Sequence, residues 1–140
     1  MDVITLLKIE HGILRVRFQI IKELLDQCES KAFLLLEETH NFVVKWHAMI
    51  EDKYVFPLYG EKAKPFSHDH LLIEKYGNSV LKERRKDWVE RYIKIVLDHN
   101  LNEENQLFDH NVNIPLSKIL GELENFKDYN KITGLDLTKL

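Results

Sequence analysis

His47-Ala-Met-Ile-Glu51 and His99-Asn-Leu-Asn-Glu103 spell one pattern, His-x-x-x-Glu, and a phenylalanine follows each Glu after four further residues, at Phe56 and Phe108. Residues four apart lie one above the other on the same face of an α-helix. Each segment therefore points one imidazole and one carboxylate in the same direction, and two such faces opposed to each other would form a metal site.

A lone histidine precedes each repeat, His11 before the first and His70 before the second. The chain thus contains two copies of His…His-x-x-x-Glu, which together supply four imidazoles and two carboxylates. The candidate metal ligands are His11, His47, Glu51, His70, His99 and Glu103.

The helical pattern extends beyond the two repeats. Only five glycines and three prolines interrupt 140 residues, and apolar residues between them recur at steps of three and four. We predict one all-α domain, 1–140, whose residues 2–110 form an up-down-up-down antiparallel four-helix bundle. The predicted helices cover about 2–30, 31–54, 67–84 and 87–108, and no Gly or Pro marks the boundary between the last two.

Residues 115–140 are predicted to hold a short C-terminal helix, 117–126, and a polar tail that packs outside the core or frays. In the bundle itself, His47 and His99 each lie nine residues before the phenylalanine near their helix end, Phe56 or Phe108. Because every α-helical residue adds about 1.5 Å of rise, the two repeats are expected at one level. His11 and His70 lie near the starts of helices running the opposite way, and so reach the same level.

The composition excludes several function classes. The 20 basic and 23 acidic side chains leave a net charge of −3, without the basic excess that binds nucleic acid. The single cysteine, Cys28, cannot form an intramolecular disulfide, and Glu10 and His11 interrupt the apolar N-terminal residues too early for a secretory signal. Apolar runs such as 32–36 fall far short of the roughly 20 residues that span a bilayer. We expect a cytoplasmic protein with neither nucleic-acid nor membrane partners.

The ligand types indicate which metals fit. A carboxylate such as Glu51 or Glu103 inside an apolar bundle costs several kcal/mol unless a cation compensates its charge. Neutral imidazoles with carboxylates suit iron, manganese or zinc. Because two carboxylates supply two negative charges against four positive charges for a di-ferrous pair, an added hydroxide or oxo bridge is expected.

The pattern His…His-x-x-x-Glu…His…His-x-x-x-Glu resembles the hemerythrin-like, or HHE cation-binding, domains over about residues 5–110, and Phe56-Pro57 after the first Glu is typical of them too. The resemblance implies two non-heme iron ions as cofactor. His11 and His47 would bind one iron, His70 and His99 the other, and Glu51 and Glu103 would bridge them.

The chain departs from the oxygen-carrying hemerythrins at two places. They have a second histidine four residues before the histidine of the third helix, where this chain has Phe66, and a His-x-x-x-x-Asp pattern in the last helix, where it has His-x-x-x-Glu. The iron at His70 and His99 would then lack its third imidazole. Glu74, His68 or a solvent molecule is left as the replacement.

Three further histidines have simpler interpretations. His40, His68 and His110 are predicted to be ordinary core or surface residues, although His40 lies two turns before His47 and is also a candidate partner behind the metal ligands. Phe56 and Phe108 are predicted as core aromatics, with shielding of the metals as a second role.

Three functions fit these patterns. The first is a non-catalytic di-iron protein that binds or senses dioxygen, nitric oxide or iron. The second, indicated by Phe66, is a di-iron enzyme that reduces peroxide or repairs nitrosative damage with a redox partner. The third is a metal-free helical interaction module. The sequence alone does not decide whether the protein is an enzyme.

Overall fold

The computed structural model describes residues 1–109 and 111–140, and within them the chain is mainly helical and forms no strand. The all-α prediction is thus confirmed. Four long helices carry the fold: α1 is Val3–Gln27, α2 is Glu29–Phe42, α3 is Lys64–Glu83 and α4 is Lys86–Gln106. No helix in this described part is long and apolar enough to span a membrane.

Helix α2 does not end at Phe42. It continues through π-helical turns at Val43–Ala48 and Glu51–Val55, residues that we call the α2 extension, and then into 3₁₀ turns at Phe56–Leu58 and Gly60–Ala63. A π-helical turn inserts an extra residue into the helical ladder and is frequent at functional sites.

The helix boundaries have local causes. Cys28 is extended and separates α1 from α2, and Arg84, with φ 51°, ends α3 in the left-handed conformation that usually terminates helices. The predicted boundary near Arg84 is therefore confirmed. The predicted start of the third helix at Ser67 was wrong, because Pro65 fits into the first turn of a helix that begins at Lys64.

Each long helix contacts two others: α1 with α2 and α4, and α3 with α2 and α4. One apolar stripe of α1 is buried, and its members are Leu7, Leu14, Phe18, Ile21 and Leu25. The core, and with it the buried polar residues of the site, lies between these helices.

The C-terminal segment, residues 116–140, differs from its prediction. Instead of one helix over 117–126 it forms 3₁₀ turns at Leu116–Lys118, Leu120–Asn125 and Leu137–Lys139, and a short helix α5 at Tyr129–Thr133. The expectation of a tail outside the core was wrong as well. Tyr129 and Leu137 are buried with the main core, because the segment carries enough apolar side chains to dock.

Candidate metal centre

The six predicted ligands meet in the middle of the helices. They form two groups that share both glutamates, one of His11 and His47 and the other of His70 and His99, each with Glu51 and Glu103. In each group the four ligand atoms lie within 4.8 Å of one another, and all six residues are buried.

The two carboxylates lie between the groups, with one oxygen toward each. Glu51 places Oε2 3.5 Å from His47 Nε2 and Oε1 3.0 Å from His70 Nε2. Glu103 places Oε1 3.2 Å from His11 Nε2 and Oε2 3.2 Å from His99 Nε2. Each carboxylate is therefore oriented to bridge two cations.

All four imidazoles have the same orientation. Each directs Nε2 into the centre and donates Nδ1–H to a carboxylate behind it, a pairing that fixes the tautomer and the ring plane of metal-binding histidines. The pairs are His11 with Glu104 (2.6 Å), His47 with Glu10 (2.8 Å), His70 with Asp52 (3.0 Å) and His99 with Asp69 (3.0 Å).

We call these four carboxylates, which accept from the Nδ1–H groups, the outer carboxylates. Their role was not predicted from the sequence, although each adjoins a predicted ligand: Glu10 next to His11, Asp52 next to Glu51, Asp69 next to His70 and Glu104 next to Glu103. Each acid holds the histidine of the following helix rather than its own neighbour. A carboxylate of α1 thus accepts from the histidine of the α2 extension, and one of the α2 extension accepts from that of α3. In the same way, a carboxylate of α3 accepts from the histidine of α4, and one of α4 accepts from that of α1. The signal available in the sequence was an acid directly beside one ligand on each of the four helical segments.

The α2 extension gives the first repeat a backbone different from the second. His47 and Glu51 lie in π-helical turns, whereas His99 and Glu103 lie in the regular α4. The imidazole and the carboxylate still converge in both repeats. The expectation of plain α-helical spacing was correct for α4 only.

The centre contains buried polar atoms that the protein does not satisfy. Both carboxylate oxygens of Glu51 and of Glu103, and Nε2 of His70 and of His99, have no hydrogen-bond partner. Buried unpaired polar atoms are costly and uncommon in native proteins. Cations coordinated by oxygen and nitrogen would satisfy these atoms, so the residues fit a dinuclear metal centre.

The protonation of the metal-free centre follows the same charges. Burial lowers the pKa of His11, whereas Glu51 and Glu10 outweigh burial at His47 and hold its pKa well above the ordinary value. Against the same opposition from burial, Asp52 and Glu51 raise the pKa of His70 to about 10. In the metal-free centre, His47 and His70 therefore bind protons more strongly than an ordinary histidine does.

The two carboxylates differ in their proton affinity. Burial and the negative charge of Glu51 raise the pKa of Glu103. Burial acts in the same sense on Glu51, but the imidazoles of His47 and His70 outweigh it and lower the pKa. The metal-free centre thus contains one carboxylate held ionised and one that retains a proton more readily.

The sequence model of the hemerythrin HHE cation-binding domain matches residues 2–110. The chain belongs to this family. The comparison with curated proteins found no match, and the comparison with solved structures found none either. The match includes all six candidate ligands and all four outer carboxylates of this HHE domain, and it ends before the C-terminal segment begins.

Aromatic rings cover the centre of this HHE domain. Phe108 stacks on His11, with ring centroids 6.1 Å apart, and Phe56 stacks on His70 at 5.2 Å. The phenylalanine of each repeat thus covers the lone histidine of the helix beside it. Phe66 is buried and meets His99 edge to face at 5.9 Å.

The other predicted candidates do not join the centre. Glu74 and His68 are exposed, and neither belongs to the two ligand groups. His40 is buried, donates from Nε2 to Asn78 Oδ1 (2.9 Å) and accepts at Nδ1 from the Tyr92 hydroxyl (2.5 Å). The prediction that His40 is a partner behind the metal ligands was therefore wrong. The prediction for His110 lies outside the described residues.

A cleft reaches the centre at His70. It has a volume of about 360 Å³ and runs between the α2 extension and α3, with Ala48 and Ile73 on its apolar walls. Asp52 and Glu74, both exposed, also line it. A small molecule entering this cleft would meet the His70 side of the centre first.

Proposed function

We propose that this HHE domain binds two non-heme iron ions, one in the group of His11 and His47 and one in the group of His70 and His99. Glu51 and Glu103 would bridge the ions, together with a hydroxide or oxo group. The observation that carries the proposal is the set of four buried, unpartnered carboxylate oxygens, each facing an imidazole of one group.

The same proposal includes the topology. The ligands come in chain order from α1, the α2 extension, α3 and α4, and each helix contacts its neighbours in that order. We infer an up-and-down arrangement, in which one level of the bundle receives a ligand from every helix. Two negative charges and four aligned Nε2 atoms then face the bound ions.

A bound iron pair would supply redox chemistry and open coordination positions for a small ligand. The residues determine access to it. Phe56 and Phe108 exclude water from two sides, and the cleft beside His70 admits a small molecule. We therefore propose that the protein binds or senses dioxygen, nitric oxide or iron itself, in the cytoplasm.

One observation favours a second function, a di-iron enzyme that reduces peroxide or repairs nitrosative damage with a redox partner. Phe66 places an apolar ring beside His99 where the oxygen carriers have a further imidazole. Each group then has two protein nitrogens, and the cleft reaches the His70 and His99 group. An ion held by only two protein nitrogens would keep positions open for an incoming peroxide, and the cleft leads to the ion beside His70.

The first test is the metal content of protein produced with iron and purified without oxidants. About two irons per chain is the expected result, and none with the fold intact would favour the metal-free interaction module. With iron bound, return to the di-ferrous state on removing oxygen supports reversible binding. Repeated turnover of peroxide with a reductant supports the enzyme instead.

A further inference from the structure

Glu10, the carboxylate behind His47, has an environment unlike that of the other three outer carboxylates. Its side chain is 0% exposed, whereas those of Glu104, Asp52 and Asp69 are 30%, 43% and 44% exposed. Water can exchange hydrogen bonds with the three exposed carboxylates. Glu10 depends on the protein alone.

Three donors satisfy Glu10. His47 Nδ1–H donates to Oε1 at 2.8 Å, while Trp46 Nε1–H at 3.0 Å and the Tyr129 hydroxyl at 2.7 Å both donate to Oε2. The two donors at Oε2 fix the carboxylate plane and leave Oε1 directed at His47. The orientation of the His47 ring thus depends on donors that do not contact the metal site.

Tyr129 belongs to α5 in the C-terminal segment, beyond residues 2–110 that the family pattern covers. It is buried and packs on Trp46 with ring centroids 4.7 Å apart. The segment has a second, independent attachment, because Lys53 Nζ and the Tyr54 hydroxyl each donate to Glu122 at 2.7 Å. The hydroxyl of Tyr129 is therefore held against Glu10 by a docked segment and not by a loose tail.

We propose that the C-terminal segment is a working part of the metal centre, with Tyr129 as a positioning residue that acts through Glu10 on His47 and slows release of metal from the His11 and His47 group. The proposal rests on the proposed function, since it requires metal in both groups. It makes the two groups unequal, because only the His11 and His47 group has one outer carboxylate, Glu10, that is fully enclosed.

The size of the effect follows from the place of each residue behind the metal. Loss of an outer hydrogen-bond partner of a ligand typically costs about 10- to 100-fold in metal affinity, which we expect for Glu10→Gln. Tyr129 bonds to Glu10 and not to a metal ligand, and Tyr129→Phe leaves the hydrogen bond from Trp46 to Glu10 in place. We therefore expect a smaller effect for Tyr129→Phe, metal release about 3- to 10-fold faster, by scaling down the 10- to 100-fold range.

The test uses the full chain loaded with Co²⁺, two ions per chain, and compares Tyr129→Phe with Tyr54→Phe. Both variants remove one hydroxyl bonded to a glutamate and both affect the attachment of the C-terminal segment, but only the first reaches Glu10. Release into excess chelator is followed by the loss of cobalt absorption. The Nδ1–H protons, shifted by the paramagnetic ions, are followed by NMR in the same samples.

We expect Tyr129→Phe to accelerate release of one of the two ions and to move one of the four Nδ1–H signals, the one that Glu10→Gln also moves. Tyr54→Phe should do neither. Equal acceleration in both phenylalanine variants would mean that packing of the segment matters and the hydroxyl does not, which overturns the inference. Unchanged release and signals in Tyr129→Phe, with two ions bound, would overturn it while leaving the proposed function intact. If wild-type protein binds no cobalt, both the inference and the proposed function are overturned.

Discussion

Substitution of Glu51 is expected to empty both metal groups, while substitution of His70 empties one. Glu51 faces His47 with one oxygen and His70 with the other, so Glu51→Ala removes one of four donors from each group. His70 belongs to a single group, and His70→Ala leaves the group of His11 and His47 complete. His40→Ala is the matched control, because this buried imidazole bonds only to groups outside the centre.

The magnitude follows from the coupling of binding to folding. A ligand present at 100 times its dissociation constant stabilises the folded state by about 2.7 kcal/mol per site. Two occupied groups then add about 5 kcal/mol, which for a chain of this size raises Tm by about 15 °C. One group adds about half of that. We therefore expect an increase of about 15 °C for wild type and His40→Ala, about 8 °C for His70→Ala and nearly none for Glu51→Ala.

Thermal unfolding with and without Zn²⁺, which has no redox chemistry, measures these increments, and elemental analysis counts the ions. Each variant is compared with its own apoprotein, so a loss of stability from the substitution itself cancels. A full increment in Glu51→Ala would refute the bridging role. Complete loss in His70→Ala would refute the assignment of separate groups that share only carboxylates.

Four further predictions concern protons, access and packing. Loading the apoprotein with Zn²⁺ at pH 7 should release protons, measurable with an indicator dye in weak buffer, since metal displaces those held by the imidazoles of raised pKa. The free energy of unfolding of the apoprotein, measured in denaturant titrations, should fall as the pH rises from 6.5 towards 10. Burial lowers the pKa of His70, but the neighbouring carboxylates outweigh burial and raise it to about 10. Over this pH range the folded state therefore binds a proton that the unfolded chain lacks. Phe66→His should slow peroxide turnover at unchanged iron content, because it offers a third imidazole beside His99; faster turnover would contradict this reasoning. Gly77→Ala should destabilise the protein by about 1–3 kcal/mol in urea, with metal content unchanged, because the added Cβ would collide with the hydrogen-bonded ring of His40.

The ligand positions could be predicted from the sequence because they depend on local geometry. A histidine and a glutamate four residues apart share a helix face whatever the rest of the fold does. That is why the structure brings all six candidates together. The boundary at Arg84 was also predictable without a Gly or Pro, since an apolar stripe stops there and a new one begins.

The remaining features depend on contacts distant in the chain. The π-helical turns at Val43–Ala48 and Glu51–Val55 leave no mark in the sequence periodicity, because the buried residues Val43, His47 and Ile50 still recur at steps of four and three, as they would in an α-helix. The burial of Tyr129 depends on a partner, Glu10, that lies 119 residues away. Neither a propensity nor a short motif carries that information.

The outer carboxylates are an intermediate case. Charged residues beside ligands appear as ordinary solvated positions, and Asp52 and Asp69 are in fact half exposed. Their function appears only when the neighbouring helix is in place, because each holds a histidine of the next helix. An acid nevertheless adjoins one ligand on each of the four helical segments, and this recurrence is a pattern that a sequence search for outer carboxylates could use.

The internal repeat predicts two equivalent metal groups, and the structure makes them unequal through residues outside the repeat. The His11 and His47 group is enclosed on its His47 side, where Glu10 is fully buried and Tyr129 of the C-terminal segment packs behind it, and Glu104 behind His11 is 30% exposed. The His70 and His99 group has half-exposed outer carboxylates and a cleft beside it. Water and small molecules therefore reach the two groups at different rates. With metal in both groups, we expect the enclosed ion to be retained and the ion beside His70 to exchange and to react.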